Sequence, residues 1–338
     1  MKCLSASIAL LLLGIISLGA VPTDVTYREG DAKIRYKAGK QEDAEIGIVV
    51  NTGDTLRTGR DGLVELDQKG VTLKINPNTV FTLMEKEQGG QSSSVLSVAL
   101  GSMKLRYDKI TGREPMVRTN GAQAGVRGTE FSVFAGADGS TLFIVDKGSV
   151  EVEAAGKAVT LSDEEGVEVG LGQAPGEKFA VHRDQIDYSR WNDDKLASLL
   201  SDPLSAMAGV AESLTAYIKS VEEYDALYRE YSERLAGEQA KAVAIAKEKG
   251  KEEAAKFNEE VLFPLTMETG NLILNLRYYA LAALSLRRYV AGRMYVLLKS
   301  RFITRLDDSV YVEFTARFNE FLSRFERSIV PQLVAADI

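Results

Sequence analysis

Reactive side chains are scarce in this sequence: among 338 residues, His182 is the one histidine and Cys3 the one cysteine. A lone imidazole has no second ring with which to bind zinc or relay a proton. A serine triad would have to recruit His182, and no serine stands in a nucleophile-elbow pattern. Carboxylates are the remaining chemistry. Glu151 with Glu153, or the run Asp163-Glu164-Glu165, could in principle supply the acid and base of glycoside hydrolysis. Two residues apart on a strand, however, Glu151 and Glu153 face the same way, and an outward acidic face is the expectation. The Asp-Gly pairs do not reproduce the ligand spacing of a calcium loop. No catalytic residue, metal ligand or cofactor site is expected, and a carbohydrate-active enzyme is the weakest reading.

Three groups of residues remain as candidates for recognition or for building the fold. Gly53, Asp54, Thr58 and Gly59 could form a ligand-contacting loop, although turn chemistry alone accounts for Asp and Gly there. Arg127 lies between Gly125 and Gly128 and is followed by Thr129, Glu130 and Phe131. Its guanidinium could grip a partner's carboxylate. The favoured role is structural: the glycines permit a tight backbone path while Arg127 pairs with Glu130 or caps carbonyls of a neighbouring strand. The third group is Arg277, Arg287, Arg288, Arg293, Lys299, Arg301 and Arg305, a window without an acidic residue. The segment 193–238 carries ten acidic residues against four basic ones, so charge is segregated between neighbouring segments. The favoured reading sets this basic stretch beside the acidic one, where exposed pairs contribute only ~0–1 kcal/mol each but can set helix order. The alternative is a basic face for anionic lipid headgroups or an acidic wall polymer.

The elements that carry these residues change type along the chain. Between positions 21 and 190 lie 22 of the 29 glycines, and only five follow Arg190. Frequent glycine punctuation favours strands and turns, and its scarcity favours helices. In the first region apolar residues alternate: Ala32, Ile34, Tyr36; Val71, Leu73, Ile75; Met103, Leu105, Tyr107; Phe131, Val133; Leu142, Ile144; Val150, Val152; Val159, Leu161; Val167, Val169. A period of two places each set on one sheet face. Turns are expected at 68–70, 76–78, 138–139, 146–148 and 172–176, implying a sandwich, barrel or roll.

In the second region Val210, Leu214, Tyr217, Val221, Tyr224, Tyr228, Tyr231 and Leu235 alternate steps of four and three, lining one helix face in heptad fashion. Leu272, Leu276, Tyr279, Ala283, Leu286 and Val290 form a second stripe, with Arg293 where an apolar residue is due, then Leu297. Tyr311, Phe314, Phe318, Phe321 and Phe325 form a third. Three antiparallel helices would bury the stripes together. Asp202-Pro203 reads as a helix start, Gly250 as an interruption, and Pro264 as a kink or stop.

Positions 3–23 hold no charge, Lys2 precedes the apolar run, and small residues Ser17, Gly19 and Ala20 follow it. This reads as a signal peptide cleaved near Ala20, with an uncleaved anchor as the alternative. Cys3 comes too early to be a lipid-bearing cysteine, and a processed chain would hold no thiol. The net charge of −7 argues against nucleic acid as a partner.

Two stretches are more specific than periodicity. Gly53-Asp54-Thr55-Leu56-Arg57-Thr58-Gly59 leads to Gly62-Leu63-Val64-Glu65-Leu66 and Val71-Thr72-Leu73-Lys74-Ile75-Asn76-Pro77-Asn78-Thr79. Val117-Arg118-Thr119 leads into Gly125-Val126-Arg127-Gly128-Thr129-Glu130-Phe131-Ser132-Val133, and later Val145-Asp146-Lys147-Gly148-Ser149-Val150-Glu151-Val152. Together, across about 30–180, they resemble the FecR domain family. The resemblance implies a bacterial extracytoplasmic β domain, best known from transmembrane regulators that relay siderophore signals to a sigma factor. Here the apolar segment stands at the N-terminus, which leaves no cytoplasmic portion for a sigma factor. A secreted relative joined to another module is the closer comparison.

The expected chain is therefore a signal peptide (1–20), a FecR-like β domain (21–186), a linker (187–202) and a helical bundle (203–334). The expected fold class is α+β in separate domains, an all-β sandwich or roll followed by an all-α antiparallel three-helix, coiled-coil-like domain. The expected function is non-catalytic binding or scaffolding in the periplasm or envelope. Its expected partners are an envelope protein or a cell-wall glycan, with membrane-surface contact by the basic helix and self-association through the helices as further expectations. The alternative is a sensory regulator anchored in the inner membrane.

Overall fold

The computed structural model describes residues 21, 23–88, 90–107, 115–181 and 188–335. Fifteen strands come first: β1 (Thr23–Glu29), β2 (Ala32–Arg35), β3 (Gln41–Asp43), β4 (Val49–Val50), β5 (Thr55–Thr58), β6 (Leu63–Asp67), β7 (Val71–Ile75), β8 (Val80–Gln88), β9 (Gln91–Tyr107), β10 (Met116–Arg118), β11 (Gln123–Ala135), β12 (Thr141–Ala154), β13 (Lys157–Leu161), β14 (Glu165–Val169) and β15 (Phe179–Ala180). They make one hydrogen-bonded sheet that folds into two layers, because three long strands belong to both. The first layer runs β3-β2-β5-β8-β9-β10-β11-β12-β13, using the first part of β9 and β11 and the last part of β12. The second runs β4-β1-β6-β7-β9-β11-β12-β14-β15, using the other parts of the same three strands. All pairings are antiparallel except β9 with β10.

Each shared strand bends at a glycine in the left-handed region: Gly101 (φ 89°), Gly128 (φ 59°) and Gly148 (φ 96°). Those angles are strained for any residue with a Cβ. Space forbids one as well, since a Cβ on Gly101 would lie 2.4 Å from Thr79 Oγ1 and one on Gly148 2.4 Å from Thr129 Cγ2. The turn expected at 146–148 is thus a bend inside β12, opposite the register shift between Arg127 and Glu130 in β11. The hairpin at 68–70 does form: Gln68 and Val71 exchange backbone bonds of 2.9 and 3.2 Å, with Lys69 and Gly70 both at positive φ. Alternating residues from both layers, among them Ile34, Leu56, Leu73, Phe81, Leu96, Phe131, Phe143 and Val152, form one core.

Helices follow: α1 (Tyr188–Ser201), α2 (Pro203–Glu248), α3 (Lys251–Phe257), α4 (Phe263–Ser285), α5 (Gly292–Arg301), α6 (Ser309–Ser328) and α7 (Val330–Ala335). The stretch read as a linker is therefore helical over α1. The Asp202 carboxylate accepts from the Ser205 N–H at 3.1 Å and Pro203 opens α2, as expected for a capped start. At 46 residues, α2 is about 69 Å long. It ends at Lys249, and Gly250 (φ 91°) lets the chain return.

From Lys251 to Arg301 the chain is one helical rod, because π-turns at Asn258–Leu262 and Leu286–Ala291 join α3, α4 and α5. Pro264 therefore neither ends nor breaks it. The first π-turn directly precedes this proline, where a regular ladder would lose a bond. The second corrects the apolar stripe. A π-turn inserts one residue, so the buried face moves from Arg293 and Leu297 to Met294 and Leu298. The third stripe is as expected: Tyr311, Phe314, Phe318, Phe321 and Phe325 pack against Val210, Leu214, Val221, Leu276 and Val290. Each such burial is worth ~1.5–3 kcal/mol, enough only when the helices pack together.

The helices grip the β domain on two sides. Trp191 of α1 covers Leu142, Ile144 and Val181 on the outside of β12, and its indole N–H reaches Glu168 at 3.0 Å. Tyr278 of α4 covers Met84 and Val95 on the outside of β8 and β9. This explains why the first half of β12 and the middle of β9 are buried on both faces.

Candidate functional site

The glycine-rich motif residues act within the β domain. The Asp54 carboxylate, almost wholly buried, accepts from the Lys37 and Asn51 N–H groups at 3.0 and 2.9 Å. Thr58 Oγ1 donates to the Asn76 carbonyl at 2.7 Å and accepts from the Thr79 N–H at 2.9 Å. Gly59 must lack a side chain, because a Cβ there would meet the Asp31 carboxylate at 2.7 Å. Gly125, Arg127, Gly128 and Glu130 follow the bend of β11, and Phe131 is in the core. Glu130 pairs with Lys104 at 2.7 Å, and Asp146 with the same ammonium at 2.9 Å. Burial alone would disfavour that charge, but the two carboxylates outweigh it and hold Lys104 above the usual lysine value. Thr129 is buried. The Arg127 side chain and His182 lie outside the described residues, so the expected Arg127–Glu130 pair does too.

The carboxylates considered for hydrolysis are spread over the surface. Glu151 and Glu153 point outward from β12, and Glu153 accepts from Gln123 at 2.8 Å. Glu165 is held by Lys178 at 2.8 Å and by the Ser162 N–H at 2.8 Å, and Lys178 first among these keeps it below the usual carboxylate value.

A seam of polar groups joins the two domains. Arg118, at the end of β10, is 4% exposed and donates to the Tyr217 hydroxyl of α2 at 2.5 Å. Its guanidinium sits 5.2 Å from the Tyr217 ring and 5.1 Å from the Tyr278 ring. Burial opposes the charge, yet the facing tyrosines outweigh it and hold Arg118 above the ordinary arginine value. Lys86 stacks 4.9 Å from Tyr278, and burial, with the Arg118 cation second, keeps it below the usual lysine value. Burial also pushes the Tyr278 hydroxyl up to about 12. Asn275 of α4 accepts from the Glu87 N–H at 3.0 Å and donates to the Glu87 carboxylate at 3.1 Å. Ser285 reaches Asn120 at 3.2 Å. In the sequence Arg118 stands only as part of a family motif and Tyr217 and Tyr279 only as members of helix stripes, and their meeting is not expected from it. The available signals were a guanidinium in the strand Met116–Arg118 and an asparagine in an apolar helix.

Beside the seam opens a cleft of about 290 Å³ between the β domain and the rod. Its β wall carries Arg35, Tyr36, Lys37, Thr52, Gly53, Thr55 and Thr82, and its helical wall Arg277, Ser285, Arg288 and Tyr289. The fold thus brings Gly53 from one candidate group together with Arg277 and Arg288 from another. The other basic residues go elsewhere. Arg287 lies 5.2 Å over the Phe325 ring, Arg293 borders a second hollow with Asn192 and Asp193, and Lys299 lies 5.8 Å over Tyr295. Arg301 donates to the Leu200 carbonyl, and Arg305 is 4.0 Å from Asp308. Along α2, Arg229 pairs with Asp225 and Lys241 with Glu238.

The family described as FecR protein matches residues 54–151, the span that holds Asp54, Arg118, the bend of β11 and the bend of β12. The chain carries a FecR domain. Two solved structures, both of a candidate anti-sigma factor from Parabacteroides distasonis, are similar to the chain at 18% identity, with TM-scores of 0.33 and 0.34. They cover 39% and 40% of this chain, which spans 61% and 63% of theirs. No curated protein matches the chain. The FecR domain accounts for much of the β region, and the helical rod and its cleft wall lie beyond the matched residues.

Proposed function

We propose that this protein is a FecR-type binding and scaffolding protein of the bacterial envelope, without catalytic activity of its own. The seam carries the reading. A buried guanidinium held by two tyrosines, reinforced by the reciprocal Asn275–Glu87 bonds, joins the domains so that surfaces from both are presented together. The framework roles of Asp54, Thr58 and Gly59 support it, since the residues of the FecR domain are spent on building a platform. No helix among the described residues is long and apolar enough to cross a membrane.

The test is affinity capture from envelope fractions with the intact protein and with an Arg118→Met variant, which removes the buried guanidinium of the seam. A saturable partner that prefers the intact protein is expected. Repeated failure to recover one, or turnover of any substrate that is lost on replacing one side chain, sinks the reading. The FecR domain also supports an anchored sensory regulator. The N-terminus of the envelope protein separates the two, because a mature chain starting near Val21 removes the anchor.

A further inference from the structure

We infer that the cleft between β2 and the rod binds an acidic saccharide, a polyhydroxylated ligand carrying carboxylate or phosphate. The inference deepens the binding-protein reading and rests on it. Among the described residues that line the cleft, Arg35 and Lys37 from the β wall and Arg277 and Arg288 from the helical wall supply four cations against one carboxylate, Glu85. A cleft lined mostly by one sign of charge concentrates the field on whatever enters it. Guanidinium forks match carboxylate and phosphate oxygens two at a time. Arg35 and Arg288 are exposed, so an arriving anion can reach them.

Hydroxyls and rings fill the rest of the wall. Thr55 and Thr82 bond each other at 3.0 Å, Ser285 donates to Asn120 and Tyr36 to Glu42, and their remaining acceptor positions, with Thr52 and the half-buried Tyr289, suit sugar hydroxyls. The size, about 290 Å³, sits at the small end of ligand sites and suits one or two sugar units rather than a folded partner.

The helical wall carries a second sign. Arg288 and Tyr289 belong to the π-turn Leu286–Ala291. Such turns are rare inside helices and recur at functional sites. The inserted residue that brings Met294 and Leu298 to the buried face also sets where Arg288 and Tyr289 fall on the cleft wall. On the opposite wall Gly53 (φ 93°) sits against the Lys37 side chain, where an added Cβ would come within 3.4 Å.

Isothermal titration of the purified full chain tests the inference with four probes: a galacturonate oligomer, a hexose phosphate, a neutral glucose oligomer and inorganic phosphate. The expected result is saturable binding of one or both acidic sugars, identifying which anion is preferred. Arg35→Ala and Arg288→Ala should each weaken it about ten-fold, the loss of one charged hydrogen bond, whereas Arg305→Ala should not. Both substituted arginines are exposed, so circular dichroism should be unchanged. Equal affinity for the neutral oligomer or for inorganic phosphate overturns the inference, as does binding only to anionic lipid vesicles. Absence of all binding also overturns it, while leaving the scaffold reading to partner capture. Turnover of a bound sugar would overturn the scaffold reading instead.

Discussion

Arg118 is a cation placed where water does not reach, held by Tyr217 and Tyr278 from two different helices. Among the described residues its hydrogen-bond partner is the Tyr217 hydroxyl, and the two ring faces share the compensation with it. Tyr217→Phe removes the hydroxyl alone and should cost about 1–3 kcal/mol in urea unfolding, the price of a charged buried bond. Tyr278 adds a pH dependence. Its proton is held more tightly folded than unfolded, at about 12 against 10.0, so its contribution is complete below pH 10 and is lost as pH climbs through 12. Lys86 runs the other way: its lowered folded value makes the charge costly, and that cost fades as pH rises toward 10.5. Stability should therefore fall between pH 10 and about 12 by about 2–3 kcal/mol, in step with delayed phenolate absorbance, and Tyr278→Phe should flatten the fall. The roles of Asp54 and Gly59 as turn builders were legible from residue type. Arg118 was not, because burial of a charge depends on which surface later covers it.

At the scale of elements, three glycines decide that the sheet becomes two layers. Gly148→Ala would place a methyl 2.4 Å from Thr129 at φ 96°, and should destabilise by about 1–3 kcal/mol. Gly156, also at positive φ (73°) but facing open space, is the control, and its alanine variant should lose only the backbone share, about 1 kcal/mol. The two melting curves measured together separate crowding from conformation. The second π-turn is testable by deletion. Removing Arg288 should restore regular helix through 286–291 while keeping Met294 and Leu298 buried, so cooperative unfolding should survive. Strand alternation and the phenylalanine stripe of α6 were legible because their periods follow from local geometry. The stripe of α5 was not, since one inserted residue shifts a helix face by a quarter-turn without marking the sequence.

At the scale of the whole molecule, α1 and α4 clamp opposite outer faces of the β domain, and the seam should make the two domains unfold together. A single calorimetric transition is expected for the intact chain. Arg118→Met should split it in two, with each domain retaining its own circular dichroism signature; one unchanged transition would show that the clamps suffice without the cation. The cleft exists only in the docked arrangement, because Arg35 and Arg288 are 253 positions apart in the chain.

The order of a β region and a helical region, the strand and helix periods, the capped start at Asp202 and the FecR domain all lie in the sequence itself. They are local properties, set by side-chain spacing and backbone preference within a few residues. Which layer each half of β9, β11 and β12 joins, which tyrosines meet Arg118, and which arginines face Gly53 were decided only by the tertiary structure. Those outcomes turn on distant surfaces meeting, and burial, the quantity that makes a charge costly or a cleft selective, is a property of the packed pair and of neither segment alone.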